Sequence, residues 1–247
     1  MTTKLLNFTS RLKLALGEKM TGLLQIGSNA NHDNTVFSDV DLILLGKDFS
    51  KNNWQSLRNT VRQVDFLIDI PVILSSQLPV NPDLFQMGTH GCYFVIVLKG
   101  AKVIQGKNSF DTYPSPTNDA VRVSLFRKIS EYSWMVRRAF VESNRDRSVY
   151  QNYQINSRLL KMVKDLLWLL DMSEPSHSLS SRETVDRLKQ KAANLFTEKE
   201  WCLLELLSDP QYRNEFASNM SEQFLQKRVV IFEKTYEAAF LIFNASH

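Results

Sequence analysis

Cysteine is scarce in this chain of 247 residues, which contains only Cys92 and Cys202. Two isolated cysteines provide neither a disulfide framework nor a zinc site, and this favours a reducing compartment. No apolar run approaches the length of about eighteen residues that a membrane span needs. The first eleven residues lack the apolar core of a signal peptide, so we expect a cytoplasmic protein with no membrane partner.

Neither sign of charge dominates, because 30 lysine and arginine residues face 26 aspartate and glutamate residues, for a net charge of +4. The chain has no basic tail, so its composition permits long nucleic acid as a partner without requiring it. The apolar fraction of 43% is sufficient for a core, and the length suits one large domain or two small ones.

The pattern of apolar residues changes at a proline-containing break, Tyr113–Asn118. Before it, helical and strand patterns alternate, and we predict helices at 4–16 and 50–64 and strands at 23–26, 40–45, 68–74 and 103–104. The segment 84–98 is ambiguous, although its composition favours a strand at 94–98. After the break, helical periods occupy 120–143, 150–172, 182–194, 198–208 and 220–243. We therefore predict an α/β domain over residues 1–116 and a helical bundle over residues 117–247.

One motif in the first half carries most of the chemistry. Gly27-Ser28 follows an apolar strand, and ten residues later comes Asp39-Val40-Asp41, which opens the next strand. Side chains alternate along a strand, so Asp39 and Asp41 point the same way. Two carboxylates about 4 Å apart repel by roughly 4 kcal/mol at an effective dielectric constant near 20, and a hard cation such as Mg²⁺ relieves this repulsion. The alternative is a solvated strand end, which the accompanying Gly-Ser pair disfavours.

A magnesium site usually needs a third carboxylate, and two candidates follow in the chain. Asp69 lies between two isoleucines at the start of the third strand pattern, whereas Asp65 directly follows a predicted helix. We favour Asp69, because Asp65 is better interpreted as part of the exit turn of that helix. The uncertainty of element boundaries leaves Asp65 as the alternative.

These residues together resemble the signature of the DNA polymerase β-like nucleotidyltransferase superfamily. The sequence is most similar to the minimal and antibiotic nucleotidyltransferases of bacteria, over roughly residues 20–106. The resemblance implies an α/β (α+β) nucleotidyltransferase core with a mixed sheet, followed by an all-α helical bundle. Asp-x-Asp alone is a weak motif, and its spacing from the Gly-Ser pair supplies the specificity.

The resemblance also implies an activity: transfer of a nucleoside monophosphate from a nucleoside triphosphate, with ATP the expected donor, to a hydroxyl group. Asp39, Asp41 and Asp69 would hold two Mg²⁺ ions, with Mn²⁺ as a possible substitute. Gly27 and Ser28 would hold the triphosphate, since glycine permits close backbone approach and a helix N-terminus favours an anion. Asp69 is also a candidate to take the proton of the hydroxyl, a role that a glutamate of the bundle has in some relatives.

The sequence departs from the minimal enzymes directly after Ser28, where basic residues are common in that family. Here the loop reads Asn-Ala-Asn-His. Arg158 and Lys161 of the predicted bundle are our candidates to supply the missing positive charge to the triphosphate. The simpler interpretation of these two residues is an exposed helix face.

The acceptor remains open at the level of sequence. A small molecule such as an antibiotic, a tRNA end and a protein hydroxyl are all compatible with the charge balance. The missing basic residues motivate an alternative function, a catalytically weak binding or antitoxin module that acts through a protein partner.

Overall fold

A computed structural model describes residues 3–27, 40–88, 90–141, 149–218 and 222–245 of the chain. These residues form two compact units. The first unit contains residues 3–27, 40–85 and 94–116, and the second contains 86–88, 90–93 and the described residues from 117 onward. The division into domains at residue 116 stays a prediction, since the segment 86–93 groups with the second unit.

The first unit is built on a mixed five-stranded sheet. Its strands are β1 (Met20–Gln25), β2 (Val40–Gly46), β3 (Ile68–Asp69), β4 (Val72–Leu74) and β5 (Lys102–Gly106). β1 is antiparallel to both β2 and β5, whereas β3 and β4 pair in parallel with β2. The edge strands of the sheet are therefore β5 on one side and the β3–β4 segment on the other.

The described residues of this part of the chain form the helices α1 (Thr3–Leu16), α2 (Lys51–Arg62) and α3 (Tyr93–Lys99). In α1 the apolar residues recur at the spacing of one helix face, and Leu5, Phe8, Leu12 and Leu16 are all buried. They pack in one core cluster with strand residues that include Leu42 and Leu44 of β2.

The segment Tyr93–Lys99 is helical, so the strand expected at residues 94–98 was wrong. Tyr93, Phe94, Val95 and Leu98 are all buried. A short helix that is apolar on most sides has no amphipathic period, and its sequence cannot be distinguished from that of a buried strand.

The second unit consists of helices in its described residues. They are α4 (Asn118–Val141), α5 (Val149–Leu170), α6 (Ser181–Lys191), α7 (Glu198–Ser208), α8 (Pro210–Ala217) and α9 (Glu222–Ala245). α5 packs against α4, α6, α8 and α9, and most of its apolar side chains are fully buried. The predicted order of an α/β part followed by a helical part is confirmed. None of the described helices has the length and apolar character required to cross a membrane.

Candidate functional site

Gly27 lies two residues beyond Gln25, the last residue of β1, and its backbone has a positive φ of 74°. Just before it, the N–H of Ile26 donates a hydrogen bond to the backbone oxygen of Asp41 over 3.0 Å. A Cβ atom on Gly27 would stand only 1.9 Å from Oδ2 of Asp41 and 2.8 Å from its Cγ. The absence of a side chain at residue 27 therefore leaves room for the Asp41 carboxylate against the backbone.

Asp41 and Asp69 are partners in the parallel pairing of β2 with β3. The pairing is held by the N–H of Val40, which donates to the carbonyl of Leu67 over 2.9 Å. Paired residues of neighbouring strands project their side chains from the same face, and their strands are about 4.8 Å apart. The two carboxylates therefore leave the sheet side by side.

The face that carries these carboxylates is opposite to the α1 core. Leu42 and Leu44 point into that core, so the alternation along β2 directs Asp41 the other way. Asp69 is exposed and Asp41 is partly exposed. Val40 is partly buried and packs on the core side. The arrangement offers two oxygen donors at the surface, the ligand type that Mg²⁺ prefers.

Asp65, the alternative third carboxylate, has a different partner. Its Oδ2 accepts a hydrogen bond from Nζ of Lys4 in α1 over 2.7 Å, and this bond lowers the pKa of the Asp65 carboxyl. The neighbouring Phe66 packs edge-to-face on Phe8 of α1. Asp65 is thus drawn toward the helix side of the sheet, which supports Asp69 as the candidate next to Asp41.

Two residues of the predicted site, Ser28 and Asp39, lie outside the described residues. Among the residues that are described, no group of three or more histidine, cysteine, aspartate or glutamate side chains is arranged to hold a metal ion. The geometry therefore brings together Gly27, Asp41 and Asp69. The complete ligand set, which includes Asp39, stays a prediction.

Arg158 and Lys161 both lie on α5 of the second unit, one turn apart. Arg158 is partly buried and Lys161 is exposed. Burial, together with the charges of Lys128 and Lys161, lowers the pKa of His90 to about 4. Lys161 is thus a cation of the second unit close enough to act on His90, and its contact with a triphosphate stays a prediction.

A cluster of ionisable groups inside the second unit was not predicted from the sequence. Nζ of Lys128 lies 3.1 Å from Oδ1 and 2.9 Å from Oδ2 of Asp165, and both side chains are almost fully buried. The ammonium also lies 4.6 Å from the centre of the Tyr93 ring, whose hydroxyl is 2.5 Å from Nδ1 of His90. Burial raises the pKa of Tyr93 above its usual value. Lys128 and Asp165 are 37 positions apart on different helices, and no local motif signals such a pair.

The architecture, a mixed sheet with helices and then a helical unit, is that of an α/β nucleotidyltransferase core followed by a helical domain. No family model matches the chain, and no curated protein does. Among solved structures, the chain is similar to the spectinomycin adenyltransferase AAD(9) from Enterococcus faecialis, whose crystal structure was solved with ATP and spectinomycin. The superposition has a TM-score of 0.63 at 12% sequence identity and covers 94% of this chain and 98% of that one. At this identity the likeness establishes the nucleotidyltransferase-like fold.

Proposed function

We propose that this protein is a divalent-metal-dependent nucleotidyltransferase that moves a nucleoside monophosphate from a nucleoside triphosphate, ATP in the first instance, to a hydroxyl acceptor. The observation that carries the proposal is the pairing of Asp41 with Asp69 on adjacent parallel strands, beside a glycine whose missing side chain accommodates the Asp41 carboxylate. A carboxylate pair on one face of a sheet is otherwise unfavourable, because like charges in this position repel.

The donor set fits a hard divalent cation. Asp41 and Asp69 supply only carboxylate oxygens, and no softer ligand competes within the pair. We propose Asp39, Asp41 and Asp69 as the residues that hold Mg²⁺, with two ions expected. When bound, such ions neutralise phosphate charge and stabilise the attacking and leaving oxygens of an in-line displacement.

The protein's own residues have distinct proposed roles in the transfer. Gly27 opens the turn after β1 so that the chain, with Ser28 next, can approach a phosphate closely. Asp69, exposed at the sheet face, accepts the proton of the acceptor hydroxyl as its oxygen attacks the α-phosphorus. The bond between the α-phosphorus and its bridging oxygen then breaks, and pyrophosphate leaves. Arg158 and Lys161 are proposed to balance the charge of the triphosphate.

The acceptor is proposed by its chemistry, a hydroxyl group. AAD(9) was solved with ATP and an antibiotic, and the shared fold makes a small hydroxyl-bearing molecule the first acceptor to test. An RNA end or a protein hydroxyl stays a further candidate.

The test is incubation with Mg²⁺ and each α-labelled nucleoside triphosphate in three separate reactions that contain spectinomycin, total tRNA or a protein extract. We expect label to move to one acceptor class, with release of pyrophosphate. The Asp41→Asn variant should reduce the rate at least about a hundredfold while the fold is retained, since the charge that stabilises the transition state is lost. Absence of transfer to all three acceptors, with no nucleotide binding by calorimetry, would contradict the proposal and favour the binding-module alternative.

A further inference from the structure

The first unit has an apolar groove on the side of the sheet away from the carboxylate pair. It has a volume of about 450 Å³. Its lining combines one face of α2 with the β3–β4 edge and consists of Trp54, Leu57, Arg58, Val61, Arg62, Ile70 and Val72. Trp54 is 44% exposed although its ring packs edge-to-face on Phe49. The groove thus presents a large aromatic surface to solvent, as binding surfaces do.

The strand that borders the groove lies at the edge of the sheet. In the parallel ladder with β2, the carbonyls of Leu67 and Pro71 accept hydrogen bonds from Val40 and Leu44. The backbone groups of residues 67, 69, 71 and 73 therefore face β2, and those of 68, 70 and 72 face outward. No described residue forms a hydrogen bond to the outward groups.

Pro71 explains why β3 and β4 are separate although they share one register against β2. It has no N–H to donate in the ladder, so the pairing is interrupted between Asp69 and Val72. Proteins commonly place an edge proline so that its missing donor protects the free edge. Here the missing donor faces inward, and no residue of the described ranges occupies the outward N–H groups of residues 68, 70 and 72.

Two arginines define the charge of the groove. Arg58 and Arg62 are one helical turn apart on α2, and both are exposed. Neither forms an ion pair with any residue in the described part of the chain. The groove therefore has an apolar floor, a hydrogen-bonding wall and two guanidinium groups that suit carboxylates.

We propose that this groove is the docking site for an extended acidic peptide segment of a partner protein, which adds as a strand beside β3 and β4. Its backbone pairs with the outward groups of Ile68, Ile70 and Val72, and alternate apolar side chains lie against Trp54. Its carboxylates meet Arg58 and Arg62. Strand addition at a sheet edge combines backbone affinity with side-chain specificity in this manner. Because the Asp69 side chain points to the other face, docking is separate from the proposed chemistry.

The test is selection of ten-residue peptides from a display library against the full chain, followed by affinity measurement on the synthetic winners. We expect enriched peptides to alternate apolar residues and to contain at least one acidic residue. Arg58→Glu should weaken their binding at least about tenfold. The matched control is Lys13→Glu, which makes the same charge change on an exposed position of α1 outside the groove, and it should change the affinity less than about twofold.

A second measurement tests backbone pairing without altering the protein. Alternate amides of a selected peptide are N-methylated in one register or in the other. Methylation of the peptide amides that face the sheet edge should abolish binding, and methylation of the alternate amides should leave binding unchanged. Bound peptide should also slow amide exchange at Ile68, Ile70 and Val72.

Three results would overturn the proposal. The first is selection that enriches no peptide, and the second is binding that is equally sensitive to both methylation registers or indifferent to Arg58→Glu. The third is concentration-dependent dimerisation of the free chain that Arg58→Glu abolishes, since a second copy would then be the occupant of the groove.

Discussion

Gly27 and Gly17 separate two roles of glycine, tolerance of a positive φ and close approach of a neighbouring group. Both have a positive φ, 74° and 54° respectively, which costs an alanine about 1–2 kcal/mol. A Cβ on Gly17 would meet nothing within 4 Å, whereas one on Gly27 would collide with the Asp41 carboxylate. Replacement by alanine therefore strains the backbone at both positions, and only at residue 27 does the added Cβ also collide with a residue of the candidate site.

We predict that Gly27→Ala abolishes nucleotidyl transfer and that Gly17→Ala does not. Both variants should lose about 1–2 kcal/mol of unfolding free energy from the backbone term, and Gly27→Ala should lose more because Asp41 must move. The measurements are urea denaturation and the labelled-nucleotide assay. Equal activity in the two variants would show that the placement of Asp41 against residue 27 has no catalytic importance.

Asp65 and Asp69 provide a second contrast, four residues apart. Asp65 is bound to Lys4 at the surface, and Asp69 is paired in register with Asp41. We predict that Asp69→Asn lowers the transfer rate at least about a hundredfold, as loss of a group that contacts the reacting atoms does. Asp65→Asn should retain nearly full activity. The reverse result in a single-turnover assay would assign the third carboxylate to Asp65.

Secondary-structure elements were predictable where their signals are local. The apolar period of α1 and the apolar run of β2 placed both elements within a few residues of their observed bounds. Helix α6 begins at Ser181, one residue before the predicted start at 182, and Ser180 caps it. Its hydroxyl accepts from the N–H of Glu183, whose carboxylate accepts in return from the N–H of Ser180.

Other features of the elements depend on contacts that the sequence does not display. The strand predicted over residues 68–74 is divided at Pro71, which has no N–H to donate to β2. The sequence could not show this division, because only the register with β2 reveals that Pro71 falls on the paired side. Helix α3 was predicted as a strand, because burial on nearly all sides erases its period. The sequence pointed to a third carboxylate from a later strand, whereas the register that pairs Asp69 with Asp41 is seen only in the structure.

The pairing of α4 with α5 through Lys128 and Asp165 supports a prediction about stability. Burial, which would lower the pKa of Lys128, is outweighed by the Asp165 carboxylate and the hydroxyl of Tyr132, so this pKa lies above its usual value. We predict that Lys128→Met alone costs about 3–5 kcal/mol of unfolding free energy, because an uncompensated carboxylate stays buried. Lys128→Met combined with Asp165→Leu should recover most of the loss.

The matched control is the exposed pair of Arg182 and Asp186 on α6, which are 3.3 Å apart. Removal of Arg182 should cost at most about 0.5 kcal/mol. Additive losses in the Lys128 and Asp165 double variant, measured by urea denaturation, would show that the two buried charges do not compensate each other.

Across the whole molecule, the order of parts was predictable and the identity of distant neighbours was not. The change of apolar period near residue 116 indicated an α/β part followed by helices, and the same architecture recurs in AAD(9) at only 12% identity. A fold can persist at this identity because it depends on the pattern of apolar positions, which many sequences satisfy. The contact of the Lys128 ammonium with the Tyr93 ring joins residues that are far apart in the chain, so no spacing rule finds it.

The stability of the chain should fall in mild acid because two histidines are buried in the neutral form. Burial, aided by Lys128 and Lys161, lowers the pKa of His90 to about 4, and burial with Lys164 and Lys128 does the same for His177. In the unfolded chain both titrate near 6.5. Between pH 6.5 and pH 4 the unfolded state therefore binds protons that the folded state excludes, and stability decreases as the pH falls through this window.

We predict a loss of about 2 kcal/mol of unfolding free energy for each histidine between pH 7 and pH 5. His90→Gln and His177→Gln should each remove about half of this pH dependence, and the double variant should remove nearly all of it, whatever its stability at pH 7. Urea denaturation at the two pH values measures the difference within each variant, so a constant cost of the substitution cancels. Equal pH dependence in the wild type and the double variant would mean that these imidazoles accept protons in the folded state. The carboxylates would then be the source of any acid sensitivity.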